Sequence, residues 1–277
     1  MLRIATCQMT SGADVKENLK TASNLVRQAA LKGAELAILP EMFPCLGMSR
    51  EQIFEVAEDY EDGLIQETMA DLAKQNGITI VAGSIPLKSK DPQRIFNSSV
   101  VYDSFGGTVV RYDKIHLFSY KHQNEEHDES SIYVAGRRPT HFLLPLGNGT
   151  VIKVGLAICY DLRFPNLFRQ MDTPDLIVLP SAFTVNTGSA HWELLLRARA
   201  VENLCYVAAA GQAGTNSAGR SFWGHSMVVD PWGKVQTSLG QAETGIGLAT
   251  LDPVLLSQVR ATLPALLNRT EYETETL

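Results

Sequence analysis

The chain has no long apolar run. None of its hydrophobic stretches approaches the roughly 20 residues that span a bilayer, so a membrane-embedded protein is not expected. It also has no block of basic residues. Its 24 Lys and Arg stand against 30 Asp and Glu, for a net charge of −6. That leaves no footprint for nucleic-acid phosphates and no basic face for anionic lipid. Cysteine is sparse. Cys7, Cys45, Cys159 and Cys205 are scattered with no CxxC pair, which reads as reduced thiols, although an even number leaves disulfides open. The opening residues 1–9 are too short and too quickly polar for a signal peptide, and the expected location is the cytoplasm. No low-complexity segment or linker interrupts the chain, so residues 1–277 are expected to form one domain. An apolar content of 45% over 277 residues is ordinary for a globular protein; length alone leaves one large α/β unit or two small ones.

Short Val- and Ile-rich runs alternate with helical patterns. Strands are predicted over 3–9, 35–40 and 77–83, with a hairpin over 97–103 and 108–113 around the Ser104-Phe-Gly-Gly107 turn. Helices are predicted over 14–33, where Asp14 and Glu17 have the spacing of a capping box, and over 64–76, closed by Gly77. The second half answers the first. Residues 153–159 answer 3–7, and 175–180 answer 35–40. A helix over 192–203 leads to a strand over 204–210, and 226–233 answers 99–106. Two similar β/α halves are therefore expected to stack as a four-layer α-β-β-α sandwich with an internal pseudo-twofold repeat. A single doubly wound sheet is the alternative. From Pro253 one more helical pattern runs to an acidic tail at 271–277. This 253–277 extension is expected at an interface between copies.

Three reactive side chains stand at comparable places. Glu41 follows the strand ending at Pro40, Lys114 follows the hairpin strand, and Cys159 closes the strand from Val151. Rims of α/β sheets are where ligands bind. A thiol, a carboxylate and an ammonium on one rim make a nucleophile with a base and an electrostatic clamp. Taken singly, each has a bland reading: a buried thiol, a solvated cap, a surface charge.

The strings Leu39-Pro-Glu41-Met-Phe43, Tyr112-Asp-Lys114-Ile-His-Leu-Phe118 and Gly155-Leu-Ala-Ile-Cys159-Tyr-Asp-Leu-Arg163-Phe-Pro165 resemble the three signature segments of the nitrilase superfamily of carbon–nitrogen hydrolases. The resemblance runs from Arg3 to about Asn268 and implies the α-β-β-α sandwich. It further implies Glu41 as general base, Lys114 as oxyanion-stabilising cation, Cys159 as nucleophile and the Tyr160 N–H as second oxyanion donor. Glu129 stands where the family often carries a fourth carboxylate. The preceding stretch 119–128 departs from the usual pattern, so Glu125 and Glu126 compete for that assignment. His122 and His127 lie among acids without metal-ligand spacing and read as part of a solvated loop or lid.

The segments 183–203 and Gly224-His-Ser-Met-Val-Val-Asp230-Pro-Trp-Gly233 resemble the branch that contains omega-amidase and deaminated glutathione amidase, the second string leaning toward the latter. By that resemblance Arg163, Phe183 and Thr187 face the substrate, with Arg163 shaped to clamp a carboxylate. His191, Trp192 and Arg199 read as a helix packed under the site, with Arg199 in an ion pair. The implied activity is hydrolysis of the terminal amide of a small carboxylated substrate, deaminated glutathione or a 2-oxo-dicarboxylate monoamide, to acid and ammonia through a thioester. The implied partners are a small-molecule amide and a second copy of the chain in a homodimer or higher oligomer. No metal or organic cofactor is required. Alternatives are a true nitrilase, a Cys–His hydrolase using His116 or His225, and a catalytically silent binding protein.

Overall fold

The computed structural model describes residues 1–122 and 125–270, with backbone alone at 122 and 125–127. Sequence expectations about the side chains of His122, Glu125, Glu126 and His127, and about the tail 271–277, lie outside the described residues.

The first half runs β1 (Leu2–Gln8), α1 (Val15–Leu31), β2 (Leu36–Ile38), α2 (Arg50–Glu55), α3 (Leu64–Asn76), β3 (Thr79–Val81), β4 (Ile85–Lys88), β5 (Ile95–Tyr102) and β6 (Thr108–Asp113). A hairpin of β7 (Ser119–His122) and β8 (Glu125–Asp128) follows, where the sequence suggested a solvated loop. The second half runs β9 (Thr140–Pro145), β10 (Val151–Leu156), α4 (Pro165–Arg169), β11 (Leu176–Ser181), α5 (Val185–Asn203) and β12 (Tyr206–Gly211). It continues with β13 (Ala213–Thr215), β14 (Ser221–Trp223), β15 (Met227–Val229), β16 (Val235–Ser238), β17 (Gly245–Leu251) and α6 (Pro253–Thr262).

Two sheets result. One has the order β17-β1-β2-β3-β5-β4, with β6 also on β5, and the other β16-β15-β12-β11-β10-β9. In the first, β1, β2 and β3 are parallel and are flanked by antiparallel β17 and β5. In the second, β10, β11 and β12 are parallel and are flanked by antiparallel β9 and β15. Each sheet thus has the same order of strand directions.

The layers follow from the two-residue period of a strand. Leu2, Ile4, Leu36, Ile38 and Val81 project from the first sheet into one core with Ile152, Val154, Leu176 and Val178 of the second. Their sequence neighbours Ala5, Cys7, Ala37, Leu39, Ile80 and Ala82 face the other way, onto Leu19, Val26, Met69 and Leu72 of α1 and α3. On the far side, Trp192, Leu196 and Ala200 of α5 close the second sheet. Strands buried on both faces read as unbroken apolar runs, and fully burying one such Val, Leu or Ile stabilises by about 1.5–3 kcal/mol.

Several local expectations shift. Asp14 caps α1 by accepting from the Lys16 and Glu17 N–H groups, but Glu17 turns outward to Lys20 instead of completing a capping box. Helix α5 starts at Val185, seven residues before the predicted 192, because Thr184 caps it by accepting from the Thr187 N–H. Strand β10 stops at Leu156, so Cys159 does not end a strand. It opens a 3-10 helix, Cys159–Arg163. Among the described residues, no helix is long and apolar enough to cross a membrane.

Candidate active site

The C-terminal ends of the parallel strands bring the site together. Glu41 lies just past β2, Ser84 past β3, Ala182 past β11 and Gln212 past β12. The turn at Glu41 is held from both sheets. The Met42 N–H donates to Ser84 Oγ at 3.0 Å, and Gln212 Nε2 donates to the Glu41 carbonyl at 3.1 Å. Gly83 is required beside it. Its φ is +44°, and a Cβ there would lie 2.0 Å from the Pro40 carbonyl oxygen.

Lys114 is anchored by its backbone on two sides: its N–H donates to the Asn97 carbonyl at 2.9 Å, and its carbonyl accepts from the Gly136 N–H at 2.8 Å. Its side chain is 1% exposed. The ammonium donates to Glu41 Oε1 at 2.8 Å and to Glu129 Oε1 and Oε2 at 3.0 and 2.8 Å. Burial alone would lower the Lys114 pKa. The two carboxylates, Glu129 first, outweigh it and hold the group well above the ordinary lysine value. Glu129 also accepts from the Phe118 N–H at 2.7 Å. Glu41, itself buried, takes a further hydrogen bond from Asn97 Nδ2 at 3.0 Å, again on Oε1.

Cys159 completes the cluster. Its φ is +48°, a left-handed conformation that a non-glycine residue holds only under constraint. Its side chain lines the same cavity as the Glu41 carboxylate and Ala182. Burial pushes the thiol well above the ordinary cysteine value, and the Glu41 charge adds to the rise, opposed by Lys114 and the Ala182 N–H. Cys159 is thus a protonated thiol beside a carboxylate. As first residue of a 3-10 turn it leaves the leading N–H groups, including that of Tyr160, without intrahelical acceptors.

The turn is fixed by Asp161, which is fully buried. Its Oδ2 accepts from Tyr112 Oη at 2.7 Å and the Ile158 N–H at 2.9 Å. Its Oδ1 accepts from the His116 N–H at 3.0 Å and meets His116 Nδ1 at 2.7 Å. Asp161 therefore ties the Lys114 segment, from both sides of the lysine, to the Cys159 turn.

A model of the carbon–nitrogen hydrolase family matches residues 3–261. The chain belongs to the carbon–nitrogen hydrolase family. The deaminated glutathione amidase of Bos taurus is 37% identical over 273 residues, which cover 96% of this chain and 81% of that protein. The crystal structure of the C. elegans NitFhit protein is similar with a TM-score of 0.85 and 36% identity, over 97% of this chain and 65% of that one. An amidase from Nesterenkonia sp. AN1, with acrylamide added at its active-site cysteine, is similar with a TM-score of 0.77 and 27% identity, over 96% of this chain and all of that one (100%).

In this hydrolase, Cys159, Glu41 and Glu129 line one cavity of about 200 Å³. Its lining also includes the apolar Met42, Leu46 and Ile53 together with Tyr133, Tyr160, Arg163, Phe183 and Thr187. All four residues assigned from the sequence to the substrate therefore border the space in front of the thiol. The Arg163 guanidinium stacks on Phe183 and Tyr160, at 5.6 and 5.9 Å, and contacts His191 Nδ1 at 3.3 Å. Thr187 Oγ1 pairs with Thr184 Oγ1 at 2.9 Å. His191 is exposed, whereas Trp192 and Arg199 lie beneath the site. Trp192 Nε1 donates to the His225 carbonyl at 2.8 Å. Arg199 Nε donates to the Leu162 carbonyl at 2.9 Å, and its Nη1 pairs with Glu202 at 2.9 Å.

Neither histidine of the Cys–His alternative borders the cavity. His116 is engaged with Asp161 and stacks on Phe164 at 3.6 Å, and the His225 ring packs on Trp223 at 4.4 Å. Among the described residues, no three His, Cys, Asp or Glu side chains group as metal ligands. Sequence reasoning passed over Asn97, Asp161, Gln212, Arg220 and Phe222. The first three are polar residues buried inside or just past apolar strands, a signal that could have found them. Arg220 and Phe222 sit on a hairpin with no periodic pattern.

Proposed function

We propose that this hydrolase cleaves the amide of a small carboxylated substrate, deaminated glutathione or a 2-oxo-dicarboxylate monoamide, through a thioester on Cys159. The observation that carries the reading is a buried thiol lining one cavity with Glu41, whose carboxylate holds the buried Lys114 ammonium at 2.8 Å, while Arg163 stands in the wall of the same cavity. The name of the Bos taurus relative and the cysteine adduct of the Nesterenkonia amidase support it.

In the first step Glu41 takes the thiol proton as Sγ attacks the carbonyl carbon. The oxyanion is stabilised by Lys114 Nζ and the Tyr160 N–H. The Lys114 ammonium has three N–H groups; Glu41 takes one and the two Glu129 oxygens share another, which keeps the ammonium in place while the third turns to the oxyanion. Glu41 then protonates the leaving nitrogen, and the C–N bond breaks as the thioester forms. In the second step Glu41 removes a proton from water as it attacks the thioester, and the thiolate leaves and is reprotonated. A monoamide releases ammonia. In a deaminated glutathione the amide is secondary, and the amine of the dipeptide half leaves. Arg163 pairs with a carboxylate of the acyl half, and Phe183 and Thr187 shape the wall around it.

The test is an assay of wild type and Cys159→Ala against deaminated glutathione, 2-oxoglutaramate, 2-oxosuccinamate and a simple nitrile, with the acid and the amine or ammonia measured. Wild type is expected to hydrolyse at least one amide, and the variant to lose at least about 10⁴-fold with its circular dichroism unchanged. Undiminished turnover by Cys159→Ala removes the mechanism, and turnover of the nitrile alone reassigns the chain to nitrile chemistry.

The chain acts as one catalytic domain, as a homodimer, in the cytoplasm. Helix α6 supports the dimer. Its Arg260 is tied to Asp175, Pro174 and Leu204, while Val254, Leu263 and Leu267 around it stay exposed, an apolar set that a second copy would cover. Light scattering giving the mass of one chain would remove this part.

A further inference from the structure

Three carboxylates, Glu41, Glu129 and Asp128, line the cavity against the one Lys114 ammonium that Glu41 and Glu129 share, which leaves it negative. A substrate carboxylate is repelled there and needs a cation on the wall. Two arginines line the cavity, Arg163 and Arg220. Neither is in an ion pair with a carboxylate among the described residues, whereas Arg94, Arg111, Arg197, Arg199 and Arg260 all are.

Arg163 lies in the same short helix as the nucleophile, four residues on. Arg220 belongs to a different element, the β13–β14 hairpin. That hairpin is docked on the cavity wall. The Trp223 N–H donates to the Phe183 carbonyl at 2.9 Å, and Thr184 bridges to Phe222. Its turn is held by Asn216, whose Oδ1 accepts from the Ala218 and Arg220 N–H groups, both at 3.1 Å, and whose own N–H donates to the Arg220 carbonyl at 3.0 Å. The Arg220 guanidinium lies 5.9 Å from the ring centre of the buried Phe222. Its backbone is therefore held while its charged end stays exposed at the edge of the cavity. A planar guanidinium in that setting matches a carboxylate in two-point contact.

We infer that Arg220 is a specificity-determining residue that binds the carboxylate on the leaving half of the substrate, while Arg163 binds the one on the acyl half. The inference rests on the amidase reading above. The acyl half must stay next to Cys159 after the first step, where Arg163 is. The leaving half must depart toward solvent, where Arg220 is. Two unpaired cations on one cavity fit an amide with a carboxylate at each end better than a monoamide that carries only one.

The test compares wild type, Arg220→Met and Arg220→Lys of the full chain on two substrates. Deaminated glutathione has a carboxylate on its leaving half, and 2-oxoglutaramate releases only ammonia. The ratio of kcat/KM for the first to that for the second should fall about 10- to 30-fold in Arg220→Met, mainly through KM, and recover in part in Arg220→Lys. A version of the larger substrate with its terminal carboxylate capped as a carboxamide should show no such fall. An unchanged ratio, or an equal fall for the capped substrate, overturns the assignment of Arg220 while the amidase reading stands. Wild type inert toward every amide overturns the amidase reading, and this inference with it.

Discussion

Replacing Asp161 by alanine removes the acceptor for four donors at once, those of Tyr112, Ile158 and His116. Two of them, the Tyr112 hydroxyl and the Ile158 N–H, are on fully buried residues. Each is left without a partner in a site closed to water, at about 1–3 kcal/mol apiece. The His116 pair is only partly buried and recovers part of its loss from water. The sum is a destabilisation of about 3–5 kcal/mol, a large share of the stability of an ordinary protein. The loss also reaches the chemistry. The Ile158 N–H to Asp161 bond closes the turn that keeps Cys159 at φ +48°. Once that turn relaxes, the thiol moves away from Glu41, and a displacement of about 1 Å costs on the order of 100-fold in rate. Urea unfolding measures the first effect, and kcat measured where the variant is still fully folded measures the second. Asp161→Asn keeps the volume and two donors' worth of acceptor, and should fall between alanine and wild type on both. A stability change under about 1 kcal/mol in Asp161→Ala, together with kcat within threefold of wild type, would refute the argument that this carboxylate holds the site in shape.

Glu41→Gln separates acidity from catalysis. The Cys159 thiol is pushed up first by burial and then by the Glu41 charge. Removing that charge lets the thiol pKa fall, so more thiolate is present at pH 7–8 and alkylation by iodoacetamide speeds up. Turnover is nevertheless lost, because no base remains to take the proton or activate water. Slower alkylation than wild type, or retained turnover, contradicts this. Asn97→Ala removes the donor on Glu41 Oε1 while the Asn97 backbone still accepts from Lys114. It should lower kcat by about tenfold with KM unchanged, and a rise in KM alone would place Asn97 in substrate binding instead.

The amino-acid sequence by itself determined the elements and the chemistry at their ends. Val- and Ile-rich runs of strand length, alternating with helical patterns, specify sheets covered on both faces. Glu41, Lys114 and Cys159 each stand in a string that resembles the family's, whereas Glu129 follows a stretch, 119–128, that departs from it. These signals are local, carried by periodicity and by short motifs, and so they survive in one dimension. What tertiary structure alone decided is nonlocal. Strand β17 pairs with β1 across nearly the whole chain, Leu2 opposite Leu251. Gln212 steadies the Glu41 turn from the other sheet, and the β13–β14 hairpin brings Arg220 to the cavity. No period or spacing encodes such meetings, because they depend on which faces and edges the two sheets leave for each other. The same holds for Cys159. As a residue type it belongs to a buried core. The strand stops three residues before it, Asp161 of the same short helix fixes a left-handed turn there, and Glu41 and the Ala182 N–H, from two distant segments, act on the thiol where it lines the cavity.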